Sequence, residues 1–148
     1  MSTEKKQKYL KKWIWNESNK GAYLQSVRLT KKGFKHGFFT KKWGDKSPKE
    51  LMAAIGSELS IHRTKQIHSC HIIETNKETE PPWAKADGLV SNQRGQSLWI
   101  YSADCIPALF ADPINGFVAA SHAGWKGLSN GILLKTVQRL EELGTRKN

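Results

Sequence analysis

Cys105-Ile-Pro-Ala-Leu-Phe-Ala-Asp-Pro-Ile-Asn-Gly-Phe-Val-Ala-Ala-Ser-His122 is the stretch that decides the architecture. It holds two short apolar runs joined by turn-forming residues that end in Asn115-Gly116. This reads as a β-hairpin, with the Asn-Gly step supplying the positive φ angles that a tight turn requires. Cys105, at the end of Ser102-Ala103-Asp104-Cys105, opens the first strand. His122, at the start of His122-Ala123-Gly124-Trp125-Lys126-Gly127, follows the second, so the hairpin returns a thiol and an imidazole to one sheet edge. That pairing fits either a metal site or a nucleophile with its base.

Working outward, Leu98 to Tyr101 reads as a strand feeding into Asp104-Cys105. Beyond His122, Gly124 and Gly127 mark a tight turn. A helix is then expected from near Leu128 to Leu143, with Ile132, Leu133, Val137, Leu140 and Leu143 as its apolar face and Gly144 as its C-cap. Upstream, Ile61 to Glu74 reads as extended chain broken near Ser69, followed by a polar loop from Thr75 to Ala86. Ser47-Pro48-Lys49-Glu50 announces another helix: Ser47 caps it, Pro48 suits its first position and Glu50 completes a capping box. Leu51, Met52, Ile55 and Leu59 would form its buried stripe. Trp13 to Trp15, Tyr23 to Leu29 and Phe34 to Thr40 are strand candidates, the first two separated by a turn at 16–21. Trp13, Trp15 and Trp99 are expected in the core. Trp125, inside the His122 loop, is expected to pack in the core, with stacking on a base as the alternative. The alternation gives an α+β class with a mixed β-sheet core flanked by helices.

The chain has 148 residues and a net charge of +11. Its length suits one domain over residues 13–148, preceded by a basic flexible tail over 1–12. Residues 1–49 hold 14 Lys and Arg against 3 Asp and Glu, whereas residues 50–148 hold 10 of each, so all the excess is N-terminal. Such a segment attracts anions, but no nucleic-acid-binding module signature accompanies it, and nucleic acid is not the expected partner. With two cysteines, Cys70 and Cys105, and no apolar run long enough for a leader or a membrane span, a cytoplasmic protein with reduced thiols is expected.

Of the five histidines, His122 is the strongest candidate ligand or base, because it sits at a strand end beside a glycine-rich turn. His68 is a weaker candidate. Cys70 and His71 are adjacent, but neighbours in extended chain point to opposite faces, so they do not make a site. His36 is ambiguous and His62 reads as a surface residue. Asp104, beside Cys105, could orient a ligand or accept a proton.

Four blocks occur in order: Gln66-Ile67-His68, Ala86-Asp87-Gly88-Leu89-Val90, Ser102-Ala103-Asp104-Cys105-Ile106-Pro107 and His122-Ala123-Gly124-Trp125-Lys126-Gly127. With His36-Gly37-Phe38-Phe39-Thr40-Lys41 near the N-terminus, they resemble the YfiH-type laccase-domain family over residues 13–144. The resemblance implies a layered α/β/β/α fold, of which this chain encodes the N-terminal part. It also implies a metal triad of His68, Cys105 and His122, which serves as the catalytic set. Two imidazoles and a thiolate suit Zn²⁺ better than copper and leave a fourth position open for water or substrate. Metal coordination would keep Cys105 deprotonated.

The implied reaction is phosphorolysis of adenosine, inosine or methylthioadenosine to base and ribose 1-phosphate, with adenosine deamination as a companion activity. Lys126 or Arg94 would bind phosphate, and Trp125 and Asp104 are further substrate-binding candidates. Lys126 departs from an arginine common in the family, and Ser69 from a glycine. Family members continue beyond the helix ending near Leu143, so an inactive remnant, or one needing a partner over the exposed sheet edge, is the rival reading. A Cys105–His122 hydrolase and a copper-dependent polyphenol oxidase are the others. The second needs more histidines than one cluster supplies.

Overall fold

Trp13-Ile-Trp-Asn alternates outward and inward, with Ile14 and Asn16 each 4% exposed, whereas Trp13, expected in the core, faces outward at 41%. This period of two builds the central part of an antiparallel sheet. In the computed structural model, which describes residues 6–75 and 81–147, the chain divides into two compact units, residues 1–58 and 59–148.

The first unit carries a sheet of order β1-β2-β3-β4, formed by β1 (Lys6–Leu10), β2 (Trp13–Ser18), β3 (Gly21–Ser26) and β4 (Phe38–Phe39). Residues 6–10, read from sequence as part of a solvated tail, pair in register with β2 from Lys6↔Glu17 to Leu10↔Trp13. Residues 1–5 of that tail lie outside the described residues. One face holds a ladder of amides: Gln7 Nε2 donates to Asn16 Oδ1, Asn16 Nδ2 to Gln25 Oε1, and Gln25 Nε2 to the His36 carbonyl.

The strand expected over 23–29 ends at Ser26. There Ser26 caps α1 (Val27–Lys31) by accepting from Leu29 N, and its own N–H donates to His36 Nε2 at 2.7 Å. His36 therefore occupies a backbone-pairing position with its side chain, and of 34–40 only Phe38 and Phe39 remain strand. The capping box at Ser47, Pro48 and Glu50 opens α2 (Pro48–Ala54) as expected, with Met52 its buried residue.

His36 Nδ1 lies 2.9 Å from the Phe34 carbonyl, which makes the neutral ring with Nδ1–H the form that satisfies both neighbours. Burial holds its pKa below the usual histidine value, outweighing the Phe34 carbonyl that raises it. The sign follows: the neutral ring's contribution is complete above about pH 6.5 and is lost as pH falls through the lowered folded value. Thermal melts across this range should show the first unit weakening on acidification, and His36→Asn should melt lower with that pH dependence removed.

The second unit holds a sheet of order β6-β7-β10-β9, made from β6 (Ile72–Glu74), β7 (Gly88–Ser91), β9 (Ile106–Ala111) and β10 (Val118–Ala123). A two-stranded parallel pair, β5 (Ser60–His62) with β8 (Gln96–Leu98), accompanies it. The expected hairpin is present, antiparallel from Val118↔Ala111 to Ala123↔Ile106. Its turn differs in detail: only Gly116 has positive φ, at 78°. Asp112 closes the loop by accepting from Ile114 N, Asn115 N and Asn115 Nδ2. Hydrogen bonding, first from Asn115, holds the Asp112 carboxyl down to about 2.

The strand expected at Leu98–Tyr101 is shifted to Gln96–Leu98. The helix expected from 128 to 143 is two helices, α3 (Trp125–Ser129) and α4 (Ile132–Leu143), separated where Gly131 turns left-handed at φ 78°. α4 packs on β7 and β10, with Leu140, Val90 and Ala119 at the core and Ile72, Phe110, Phe117 and Leu143 around it. Thr136 joins the buried stripe through a 2.6 Å hydrogen bond with Ser121 Oγ, while Leu133 is 38% exposed. His62, read as a surface residue, is fully buried, its Nε2 2.8 Å from Ser60 Oγ. Both units mix strands and helices, so the class is α+β. No helix among the described residues is long and apolar enough to cross a membrane.

Candidate metal centre

Asp87 immediately precedes β7, and its backbone carbonyl accepts from His122 N at 2.7 Å. Its carboxylate is fully buried and is the hub of the site. Oδ1 accepts from His122 Nδ1 at 2.8 Å and His68 N at 3.0 Å. Oδ2 accepts from Ile67 N at 3.1 Å, Ser69 N at 2.7 Å and Ser69 Oγ at 2.6 Å. Burial opposes ionisation, but the bonds from Ser69, His122 and Ile67 outweigh it and keep the carboxyl below its usual pKa. Asp87 therefore stays an acceptor-only anion.

The consequence is positional. Among the described residues His68 is the one non-glycine with positive φ, at 59°, a conformation that costs on the order of 1–3 kcal/mol and persists when surroundings impose it. Three consecutive N–H groups converging on one carboxylate impose it here. Gln66 ties the same loop to the Cys105 segment: its Nε2 donates to the Tyr101 carbonyl at 2.7 Å and its Oε1 accepts from Tyr101 N at 2.8 Å. Ser102 Oγ donates to the Cys105 carbonyl and closes the turn into β9.

His68, Cys105 and His122 thus come together, each offering one ligand atom, all within 4.8 Å of one another. The two imidazoles meet edge to face at 4.9 Å. His122 Nδ1–H is committed to Asp87, so Nε2 carries the free lone pair. Gly124 leaves the room: a Cβ there would lie 3.1 Å from His68 Cδ2 and 3.3 Å from Cys105 Sγ. His122 is buried, Cys105 partly buried and His68 exposed, so the cluster has a closed floor and an open side. Borderline-soft donors at this spacing fit a zinc ion.

Cys70 and His71 are outside the cluster. Cys70 Sγ accepts from Lys135 Nζ at 2.9 Å, and the His71 carbonyl accepts from Asp87 N and Gly88 N. Asp104 is exposed, and the carboxylate hydrogen-bonded to His122 is that of Asp87. The sequence reading gives Asp87 no role; the available signal is a lone acid two residues ahead of the apolar Leu89-Val90. Arg94 follows the end of β7 that pairs with Val118, at the opposite end of the strand from Asp87, and is not brought to the cluster. Trp125, expected in the core, is 74% exposed at the start of α3. Lys126 beside it is exposed, its Nζ 5.6 Å from the indole centroid.

Comparison with known proteins places the chain among its relatives. A purine nucleoside phosphorylase of Synechocystis sp. is 32% identical over 139 residues, covering 90% of this chain and 52% of its own. One of Deinococcus radiodurans is 37% identical over 97 residues, covering 65% and 37%. The chain therefore spans about half the length, or less, of these relatives. The hypothetical protein YfiH of Bacillus licheniformis shares the fold, with a TM-score of 0.65 at 23% identity over 81% of this chain and 57% of that one. A Neisseria meningitidis protein gives 0.57 at 23% identity, covering 93% and 57%. Residues 45–148, which contain the whole His–Cys–His cluster and its Asp87 hub, match the family described as multi-copper polyphenol oxidoreductase laccase, and the chain belongs to that laccase-domain family.

Proposed function

We propose that this chain carries the metal-binding residues of a zinc-dependent purine nucleoside phosphorylase site. The observation that carries the reading is the His68–Cys105–His122 cluster organised by Asp87, and the names of the relatives supply the substrate class. His68, Cys105 and His122 would hold the ion, which when bound supplies Lewis-acid polarisation. Asp87 keeps the His122 proton on Nδ1 and fixes the ring. Lys126, exposed four residues beyond His122, would meet phosphate as a point charge. Trp125 presents an exposed indole suited to stacking on a purine. Phosphorolysis would break the glycosidic C–N bond and form a C–O bond to phosphate, the proton given up by hydrogen phosphate ending on the ring nitrogen of the leaving base.

The test is release of hypoxanthine from inosine plus phosphate, with adenosine assayed in parallel for deamination to inosine. His68→Ala and His122→Ala should each lower the rate by at least about 100-fold. Stoichiometric zinc without hypoxanthine release would favour an inactive chain or one that needs a partner. A second reading draws on one observation: Asp87, His122 and Cys105 also form an orienter–base–nucleophile series. Acyl or amide hydrolysis that survives metal removal and is lost in Cys105→Ala would favour it. Copper-dependent phenol oxidation finds a single three-ligand cluster among the described residues.

A further inference from the structure

The first unit concentrates positive charge in a way the metal centre does not use. Residues 6–44 contain eleven Lys and Arg and one acidic residue, Glu17, and Glu17 is already paired with Lys42 at 2.7 Å. Among the described residues, Lys8, Lys11, Lys12, Arg28, Lys31 and Lys32 make no salt bridge, and all are exposed. A set of like charges without counter-ions opposes folding by self-repulsion, so its placement points to an external anion.

The register gathers these charges around aromatic surface. In the β1–β2 pair Lys8 stands opposite Trp15 and Leu10 opposite Trp13, so these four share one sheet face. Lys11 and Lys12 form the turn between the strands. The Lys12 carbonyl accepts from Val27 N at 3.0 Å, which brings the start of α1, with Arg28, to the same end of the sheet. Trp13 is 41% exposed and is held edge-on against Phe38 at 5.8 Å. Leu10, next to it, is 44% exposed and Tyr9, on the other side of the strand, 69%.

Although the sequence carries no nucleic-acid-binding module signature, we propose that this edge of the first unit binds single-stranded nucleic acid, with Lys8, Lys12 and Arg28 on phosphates and Trp13 stacked on an unpaired base. A cationic rim alone fits any polyanion. The exposed indole inside the rim selects an anion that carries flat apolar faces, and a single strand offers them where a duplex keeps its bases stacked.

The experiment is fluorescence anisotropy of a labelled oligouridylate and an oligothymidylate of equal length with the full chain, alongside heparin and phosphatidylserine vesicles. With three phosphate contacts, affinity should fall about 20-fold between about 50 and 200 mM salt. Lys8→Gln and Arg28→Gln should each weaken binding about five-fold and make the salt slope shallower by about 0.7. Trp13→Ala should weaken oligonucleotide binding about ten-fold without changing heparin binding, and Trp13→Phe should restore most of it while keeping the hydrophobic contact with Phe38. Circular dichroism confirms that each variant is folded. No binding at low salt, equal loss of heparin and oligonucleotide in Trp13→Ala, or tighter binding to vesicles than to oligonucleotide would each overturn the proposal.

Discussion

Asp87→Asn is expected to lower the zinc affinity of the chain by about 10- to 100-fold and to destabilise the second unit by roughly 3 kcal/mol. Both carboxylate oxygens are committed to donors, His122 and His68 N–H on one and Ile67, Ser69 N–H and Ser69 Oγ on the other. An amide nitrogen in either position faces donors with a donor. Turned toward His122, it also drives the ring to the tautomer with the proton on Nε2, removing the lone pair meant for the metal. Turned toward Ser69, it releases the segment that holds His68 at φ 59°. Zinc competition against a chromophoric chelator and a thermal melt measure the two effects. Unchanged zinc affinity with a lowered melting temperature would reduce Asp87 to a loop cap.

Gly127→Ala is expected to be nearly as damaging, although it replaces glycine by the best helix former. The propensity gain in α3 is at most about 1 kcal/mol. Against it, the added Cβ would lie 2.9 Å from the Ser69 carbonyl oxygen and 3.5 Å from Ile132 Cγ2. The nearest atom is backbone, which cannot rotate away, and overpacking of this kind costs about 1–3 kcal/mol. Relief requires moving Ser69, and Ser69 is bonded to Asp87 and adjacent to His68. Net destabilisation with weakened zinc binding is therefore predicted. Ser129→Ala, in the exposed last position of the same helix, should do neither. A Gly127→Ala chain that melts higher and binds zinc normally would show that α3 and the His68 loop are not in tight contact.

Much of the site was legible because the hairpin is local. Apolar runs and a turn inside eighteen residues fix both the strands and the return of His122 to Cys105. Asp87 was not legible, because its meaning depends on partners 18 to 35 positions away. The strand that follows it, β7, is buried on both faces, so it lacks the alternation by which a strand is recognised. The opposite holds for β1, exposed along its whole length, whose lysines read as a tail because nothing in them is buried. The break between α3 and α4 had a signal in Asn130-Gly131, a turn-forming dipeptide inside an otherwise helical pattern. His36 and Gln66 replace backbone partners with side chains, a substitution no periodicity encodes.

Whether His68, Cys105 and His122 form one metal site is decided by the metal content and cobalt substitution of the purified chain. One equivalent of zinc per chain is expected. Exchange to Co²⁺ should give an intense visible spectrum of low-coordinate geometry with a thiolate-to-cobalt charge-transfer band. That band should vanish in Cys105→Ala, and metal should be lost in His68→Ala and His122→Ala, while Cys70→Ala leaves both intact. A chain that purifies without stoichiometric metal and takes up none, or one whose cobalt spectrum is unchanged by Cys105→Ala, would contradict a shared site.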